Sequence, residues 1–147
     1  MTGETQTRGL IDTNILIHLA ALAPQQLPDE MVISAVTLAE LSAGPHHTDD
    51  PAERARRTSV LQHAEATFDP LPFDAEAARM YGMVAAAVLA SGRKPRGRFG
   101  DLMIASMAIV NGLPLYTTNP NDFAGLADLL TLVAVDRPEP PARPAAQ

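Results

Sequence analysis

The chain of 147 residues contains no cysteine and no tryptophan, and it has only four histidines. Without cysteine there can be no disulfide bond, no thiolate zinc site and no cysteine nucleophile. No two histidines have the spacing of metal ligands on one helix. A bound metal would therefore be held by oxygen atoms, which are the ligands that Mg²⁺ and Mn²⁺ prefer.

Long apolar segments are also lacking. No apolar run approaches the roughly 20 residues that a membrane span needs, and residues 1–8 have no apolar core of a secretory signal. We therefore expect a cytoplasmic protein with no membrane segment. Apolar residues make up 46 % of the chain, which fits a single domain with its own core. The net charge of −6 does not predict a broad nucleic-acid-binding face.

Short apolar segments alternate with helical patterns from residue 8 to residue 136. This alternation predicts an α/β domain with a mostly parallel sheet and helices on both faces. Strands are expected at 8–12, 31–34, 68–73, 115–118 and 131–135, and helices at 15–23, 35–43, 52–66, 74–90 and 100–112. Pro70 and Pro72 should make the third strand an edge or an irregular strand. The polar residues 1–7 and the proline-rich residues 137–147 are predicted to be disordered.

Acidic residues stand at the ends of several of these elements. Asp12, Glu40 and Asp101 lie in apolar surroundings, and Asp122 lies in the turn after the fourth strand. Ligands of parallel sheets bind beyond the carboxyl ends of the strands, so these acids can converge there. Clustered carboxylates repel one another, and a divalent cation removes that repulsion. Such a site is suited to the hydrolysis of phosphodiesters.

Each acid also has a simpler interpretation. Asp12 and Asp101 could cap helices, Glu40 could lie on the exposed side of its helix, and Asp122 could serve its turn. Neutral side chains beside the acids could orient metal ligands or substrate, or could act only in caps and turns; they are Thr13, Asn14, Thr117, Thr118 and Asn119.

Basic residues are concentrated in two groups. The first is a glycine- and proline-containing loop that runs directly into Asp101; its basic residues are Arg93, Lys94, Arg96 and Arg98. The second group consists of Arg54, Arg56 and Arg57. Either group could simply be solvated surface. The position of the first group favours it for contact with a substrate.

Four segments in this order resemble the PIN-domain family: LIDTNIL, TLAEL, GDLMIA and LYTTNPNDF. More narrowly, they resemble the ribonuclease toxins of VapBC-type toxin–antitoxin systems. The resemblance extends over residues 8–136. It implies a single domain with a parallel five-stranded sheet in the order 3-2-1-4-5, flanked by helices.

The resemblance further implies an endoribonuclease that depends on Mg²⁺ or Mn²⁺ and hydrolyses RNA with a water activated by the metal. Asp12, Glu40 and Asp101 would be metal ligands, and Asp122 or Asn119 would fill a fourth position, which is an acid in many relatives. The loop at 93–98 would contact RNA. A homodimer and a cognate VapB-type antitoxin are the implied partners.

Three other classes of protein could be considered for an acid-rich parallel sheet. A phosphoacceptor receiver domain would need adjacent acids after the first strand, but Thr13 follows Asp12. A phosphotransferase with an aspartate nucleophile would need a second aspartate where Asn14 stands. A PIN-like module that binds RNA or protein without catalysis stays open because of the asparagine at position 119.

Overall fold

Four short parallel strands form the centre of the fold in the computed structural model, which describes residues 6–138. They are β1 (Arg8–Ile11), β2 (Glu30–Val32), β3 (Leu115–Thr117) and β4 (Leu132–Ala134). Their order in the sheet is β2-β1-β3-β4, and each neighbouring pair is parallel. The central strands β1 and β3 therefore end side by side, and the segments that follow them share one edge of the sheet.

The predicted number of five strands is wrong. Residues 68–73 contribute a single parallel bridge, between Leu71 and Ser34. The Leu71 N–H donates to the carbonyl of Ile33 at 2.9 Å, and the Leu71 carbonyl accepts from the Ala35 N–H at 2.8 Å. The pairing cannot extend beyond Ala35, because a helix begins there. Pro70 and Pro72 flank Leu71 and have no N–H to donate on its other side, so this segment stays at the edge of the sheet. The four remaining strands lie in the relative order that was predicted.

Five α-helices connect and cover the strands. They are α1 (Thr13–Ile17), α2 (Ala35–Ala43), α3 (Pro51–Thr67), α4 (Ala75–Ala90) and α5 (Phe99–Val110). Ser34 and Asp74 cap α2 and α4 through backbone N–H groups of Thr37 and Ala77. Helix α1 is shorter than expected, and a separate 3-10 turn follows it. Ala23 is extended, as residues before proline tend to be, and this blocks a continuous helix through residue 23.

The sheet separates two apolar clusters. Leu10 of β1 packs with α4 and α5 on one face, and Ile11 packs with α1 and α2 on the other. Both side chains are completely buried, as the alternation of a strand requires. The next residue, Asp12, leaves the sheet between the two clusters. Its backbone N–H donates to the carbonyl of Tyr116 at 2.9 Å, which fixes it to β3.

The predicted disorder of residues 1–7 and 137–147 falls mostly on residues 1–5 and 139–147, which lie outside the described residues. Inside the described range, the Thr7 N–H donates to Asp29 at 2.9 Å. Arg137 Nε donates to the carbonyl of Thr118 at 3.2 Å. Among residues 6–138, no helix is both long enough and apolar enough to cross a membrane.

Candidate active site

Asp12 occupies the centre of the carboxyl edge of the sheet and is only 4 % exposed. Its Oδ1 accepts from the Thr13 N–H at 2.8 Å, so it does cap α1. Its Oδ2 accepts from Thr117 Oγ1 at 2.8 Å and from Asn14 Nδ2 at 3.1 Å. Burial raises the pKa of Asp12, and the hydrogen bonds partly oppose that shift. The three donors hold this carboxylate in a fixed orientation.

Glu40 reaches the same edge from α2. Thr13 Oγ1 donates to Glu40 Oε1 at 3.2 Å and lies 3.0 Å from Thr37 Oγ1, so Thr13 links α1 to α2. Desolvation and then the charge of Asp12 raise the pKa of Glu40, although water has access to this residue and screens the effect. A Cβ atom on Gly100 would lie 3.4 Å from Glu40 Oε1. The start of α5 thus lies next to the carboxylate of Glu40.

Asp101 lies in the first turn of α5 and is partly buried. Its pKa is raised to about 6, first by burial and then by the negative charges of Asp12, Asp122 and Glu40, while Arg98 opposes the shift. The fold therefore brings the four predicted acids into one electrostatic cluster. Among residues 6–138, no three acidic or histidine side chains lie close enough together to enclose a metal ion as they are positioned.

The basic loop before α5 is attached to the turn that carries Asp122. Arg98 Nη1 donates to the carbonyl of Asp122 at 3.1 Å, and Arg93 Nη1 donates to the carbonyl of Asn121 at 2.9 Å. Two of the four predicted substrate contacts thus support the backbone of the turn Pro120–Phe123. The other two, Lys94 and Arg96, are exposed.

The second basic group lies beside Glu40. Glu53 pairs with Arg56 at 2.6 Å and with Arg57 at 2.9 Å. Both arginines line a groove of about 270 Å³ that also contains Thr13 and Glu40. The sequence favoured the loop at 93–98 over this group, whereas the structure places basic side chains on two sides of the acids. Substrate contact by the loop stays a prediction.

The side chain of Asn14, one of the predicted neutral residues, connects α1 to the residue that follows β3. Asn14 Oδ1 accepts from the Thr118 N–H at 3.2 Å, while its Nδ2 donates to Asp12. The Asn119 N–H donates to Thr117 Oγ1 at 3.0 Å. The buried Oδ1 of Asn119 has no hydrogen-bond partner within residues 6–138. Thr117, one of the neutral residues that the sequence places beside the acids, donates directly to Asp12.

A parallel sheet with four carboxylates beyond its carboxyl edge defines the general class of the protein, an α/β domain with an acidic site. Comparison with known proteins gives the family. The PIN domain family matches residues 9–129, and the chain belongs to this family. It is 35 % identical to ribonuclease VapC5 of Mycobacterium tuberculosis, over 83 % of this chain and 90 % of that protein. It is 33 % identical to the tRNA(fMet)-specific endonuclease VapC of Shigella flexneri, over 83 % and 94 %.

A solved structure agrees with this assignment. The VapBC-5 toxin–antitoxin complex of Mycobacterium tuberculosis contains a chain that superposes with a TM-score of 0.76 at 33 % identity. The match covers 89 % of this chain and 99 % of that chain. The similarity therefore extends over nearly the whole described domain.

Proposed function

We propose that this protein is an endoribonuclease that acts as the toxin of a toxin–antitoxin pair, with residues 8–136 as its nuclease domain. The observations that support the proposal lie at one edge of the sheet: Thr13 is hydrogen-bonded to both Asp12 and Glu40, and burial, followed by the charges of Asp12, Asp122 and Glu40, raises the pKa of Asp101 to about 6. Relatives at 33–35 % identity are named as ribonucleases or endonucleases. Such an enzyme acts in the cytoplasm, where its RNA substrate is.

The carboxylate cluster fits a divalent cation, with Mg²⁺ or Mn²⁺ as the proposed metal. Mg²⁺ usually keeps several waters and takes one or two protein carboxylates, so it does not require three acids in contact. Asp12, Glu40 and Asp101 would hold it. We assign the fourth position to Asp122, because its charge acts on both Asp12 and Asp101.

The chain's own residues prepare this site for an RNA strand. Thr117 and Asn14 fix Asp12, and Thr13 holds Glu40 against the same edge. The exposed Lys94 and Arg96 can attract the phosphate backbone towards the acids, which would otherwise repel it. A bound metal would supply the activation of a water and the neutralisation of charge on the scissile phosphate.

The proposed partners are a cognate VapB-type antitoxin and a second copy of the chain. The similar VapBC-5 structure, at 33 % identity, is a member of the VapBC family of toxin–antitoxin systems, which supports the antitoxin. For the second copy, α4 and α5 present an apolar face. Phe99 is 60 % exposed and stacks on Tyr81 with ring centroids 6.2 Å apart. Leu89, also 60 % exposed, belongs to α4. We assign the homodimer contact to this face.

The function is tested by cleavage of total bacterial RNA with the purified chain. Asp101→Asn should abolish cleavage while the protein stays folded, and a chelator should abolish cleavage by the wild type, with Mg²⁺ or Mn²⁺ restoring it. Asp128→Asn, which removes an exposed acid away from the site, should cleave normally. Cleavage by folded Asp101→Asn would contradict the site. RNA binding without any cleavage by the wild type would favour the non-catalytic module.

A further inference from the structure

A polar pocket of about 310 Å³ opens next to the carboxylate cluster, beyond the ends of β1 and β3. Its lining residues are Asn14, His18, Thr118, Asn119, Arg137 and Pro138. The pocket combines a histidine and an arginine with amide and hydroxyl groups. It lies apart from both the basic loop at 93–98 and the groove at Arg56 and Arg57. Neither the sequence patterns nor the arrangement of acids accounts for it.

Hydrogen bonds connect this pocket rigidly to Asp12. Asn14 Nδ2 donates to the Asp12 carboxylate at 3.1 Å, and Asn14 Oδ1 accepts from the Thr118 N–H at 3.2 Å. The Thr118 carbonyl then accepts from Arg137 Nε at 3.2 Å. Asn14 and Thr118 thus form a chain of hydrogen bonds that leads from the carboxylate at the centre of the site to the side chain of Arg137. A group bound at Arg137 would be held at a defined distance from the site of cleavage.

The guanidinium of Arg137 is available to a ligand. Its Nε is used by Thr118, but within residues 6–138 its two Nη groups make no hydrogen bond or ion pair, and the residue is exposed. Two parallel N–H groups of a guanidinium match the oxygen atoms of a phosphate. The exposed His18, at the C-terminal end of α1, supplies a second polar group to the same pocket.

We infer that this pocket is a subsite for the RNA strand, in which Arg137 binds a phosphodiester next to the one that is cleaved. The inference rests on the proposed function. RNA must approach a cluster of four acids that repels it, so a cation at a fixed place beside that cluster both offsets the repulsion and sets the register of the strand. A carboxylate of a protein partner would be the other ligand of similar chemistry, but it would have no need for a fixed position relative to Asp12.

Binding is measured by fluorescence anisotropy with a short labelled single-stranded RNA, in an Asp101→Asn background that does not cleave it. Adding Arg137→Gln should weaken binding roughly tenfold, the effect of one charge-assisted contact. It should also reduce the slope of log affinity against log salt by about 0.7, the value for one phosphate contact on a single strand. Arg79→Gln removes an exposed arginine of α4 and serves as the matched control.

The position of the contact is tested with RNAs in which one phosphate at a time is a neutral methylphosphonate. One substitution, adjacent to the scissile phosphate, should weaken binding when Arg137 is present and have no further effect in Arg137→Gln. Thermal unfolding by circular dichroism verifies that both variants are folded.

Several outcomes would overturn the subsite. If Arg137→Gln matches Arg79→Gln in affinity and salt slope, Arg137 does not contact RNA. If each methylphosphonate substitution weakens RNA binding equally in the presence and absence of Arg137, Arg137 does not bind a phosphate. If Arg137→Gln instead weakens only the antitoxin complex, the ligand is a protein carboxylate. All three leave wild-type cleavage intact, whereas a failure of the proposed function would appear as a wild-type chain that does not cleave RNA.

Discussion

Replacing Asp101 with asparagine should make the metal-free protein more stable as well as inactive. In the folded chain, the pKa of Asp101 rises from its ordinary value of 3.8 to about 6. A shift of about two units corresponds to roughly 3 kcal/mol of destabilisation when the group is ionised. Asp101 is partly exposed, so water screens part of this, and we expect a gain of about 1–2 kcal/mol from Asp101→Asn.

The sign of the pH dependence follows from the raised pKa. The folded chain holds the Asp101 proton more tightly than the unfolded chain does, so the stability that this proton provides is complete below about pH 4 and is lost as the pH rises through about 6. Asp101→Asn does not suffer this loss. The variant and the wild type should therefore be equally stable near pH 4. The difference between their free energies of unfolding should reach its full size near pH 7.

Thermal unfolding in chelator at pH 7 is the assay, with Asp128→Asn as the control for the loss of one negative charge. The expected gain raises the melting temperature of Asp101→Asn by about 3–6 °C. Adding Mg²⁺ should stabilise the wild type more than the variant and so reduce the difference between their melting temperatures. If Asp101→Asn melts no higher than Asp128→Asn in chelator, burial and the neighbouring negative charges do not destabilise the ionised Asp101, and our electrostatic account of the site is wrong.

Two further predictions concern packing. A Cβ atom on Gly9 would lie 2.3 Å from Tyr116 Cε1, so Gly9→Ala must displace a buried ring and should lower the free energy of unfolding by about 1–3 kcal/mol in a urea titration. Gly82→Ala in α4, where a Cβ meets nothing within 4 Å, should instead be neutral or stabilising. Phe99→Ser should raise the dimer dissociation constant tenfold or more in sedimentation experiments, the effect of losing a central aromatic contact. Ile17→Ser, which removes an exposed apolar residue of α1, should leave the dimer unchanged.

Local chemistry explains which parts of the fold could be predicted from the sequence. The caps Ser34 and Asp74 each act on a backbone N–H three residues away, so a short segment carries the whole signal. The acids could be found in the same way, because each is unusual within its own segment. The extent of the predicted third strand depends on how many of its residues pair with the distant segment 33–35. The sequence could not decide between an irregular strand and a single bridge.

Long-range hydrogen bonds explain what could not be predicted. The sequence indicates Thr117 as a neutral residue near the acids, but it could not show that Thr117 donates to a carboxylate 105 positions earlier in the chain. Contact of Arg93 and Arg98 with RNA stays a prediction, but the sequence could not show that they bind backbone carbonyls of a turn 24–28 residues later. Arg137 was placed in a disordered tail, since only the folded chain brings it to Thr118.

The two buried or partly buried aspartates of the site are stabilised in different ways, and this assigns them different roles. Asp12 accepts three hydrogen bonds from protein donors, so its orientation is set before any ligand arrives. For the Asp101 carboxylate the described residues provide no hydrogen bond, and the nearby Arg98 offsets its repulsion only in part. A bound cation would therefore stabilise the ionised carboxylate of Asp101 more than that of Asp12. In the proposed site, Asp12 would fix the position of the ligands, and Asp101 would be the acid whose charge a bound metal stabilises most.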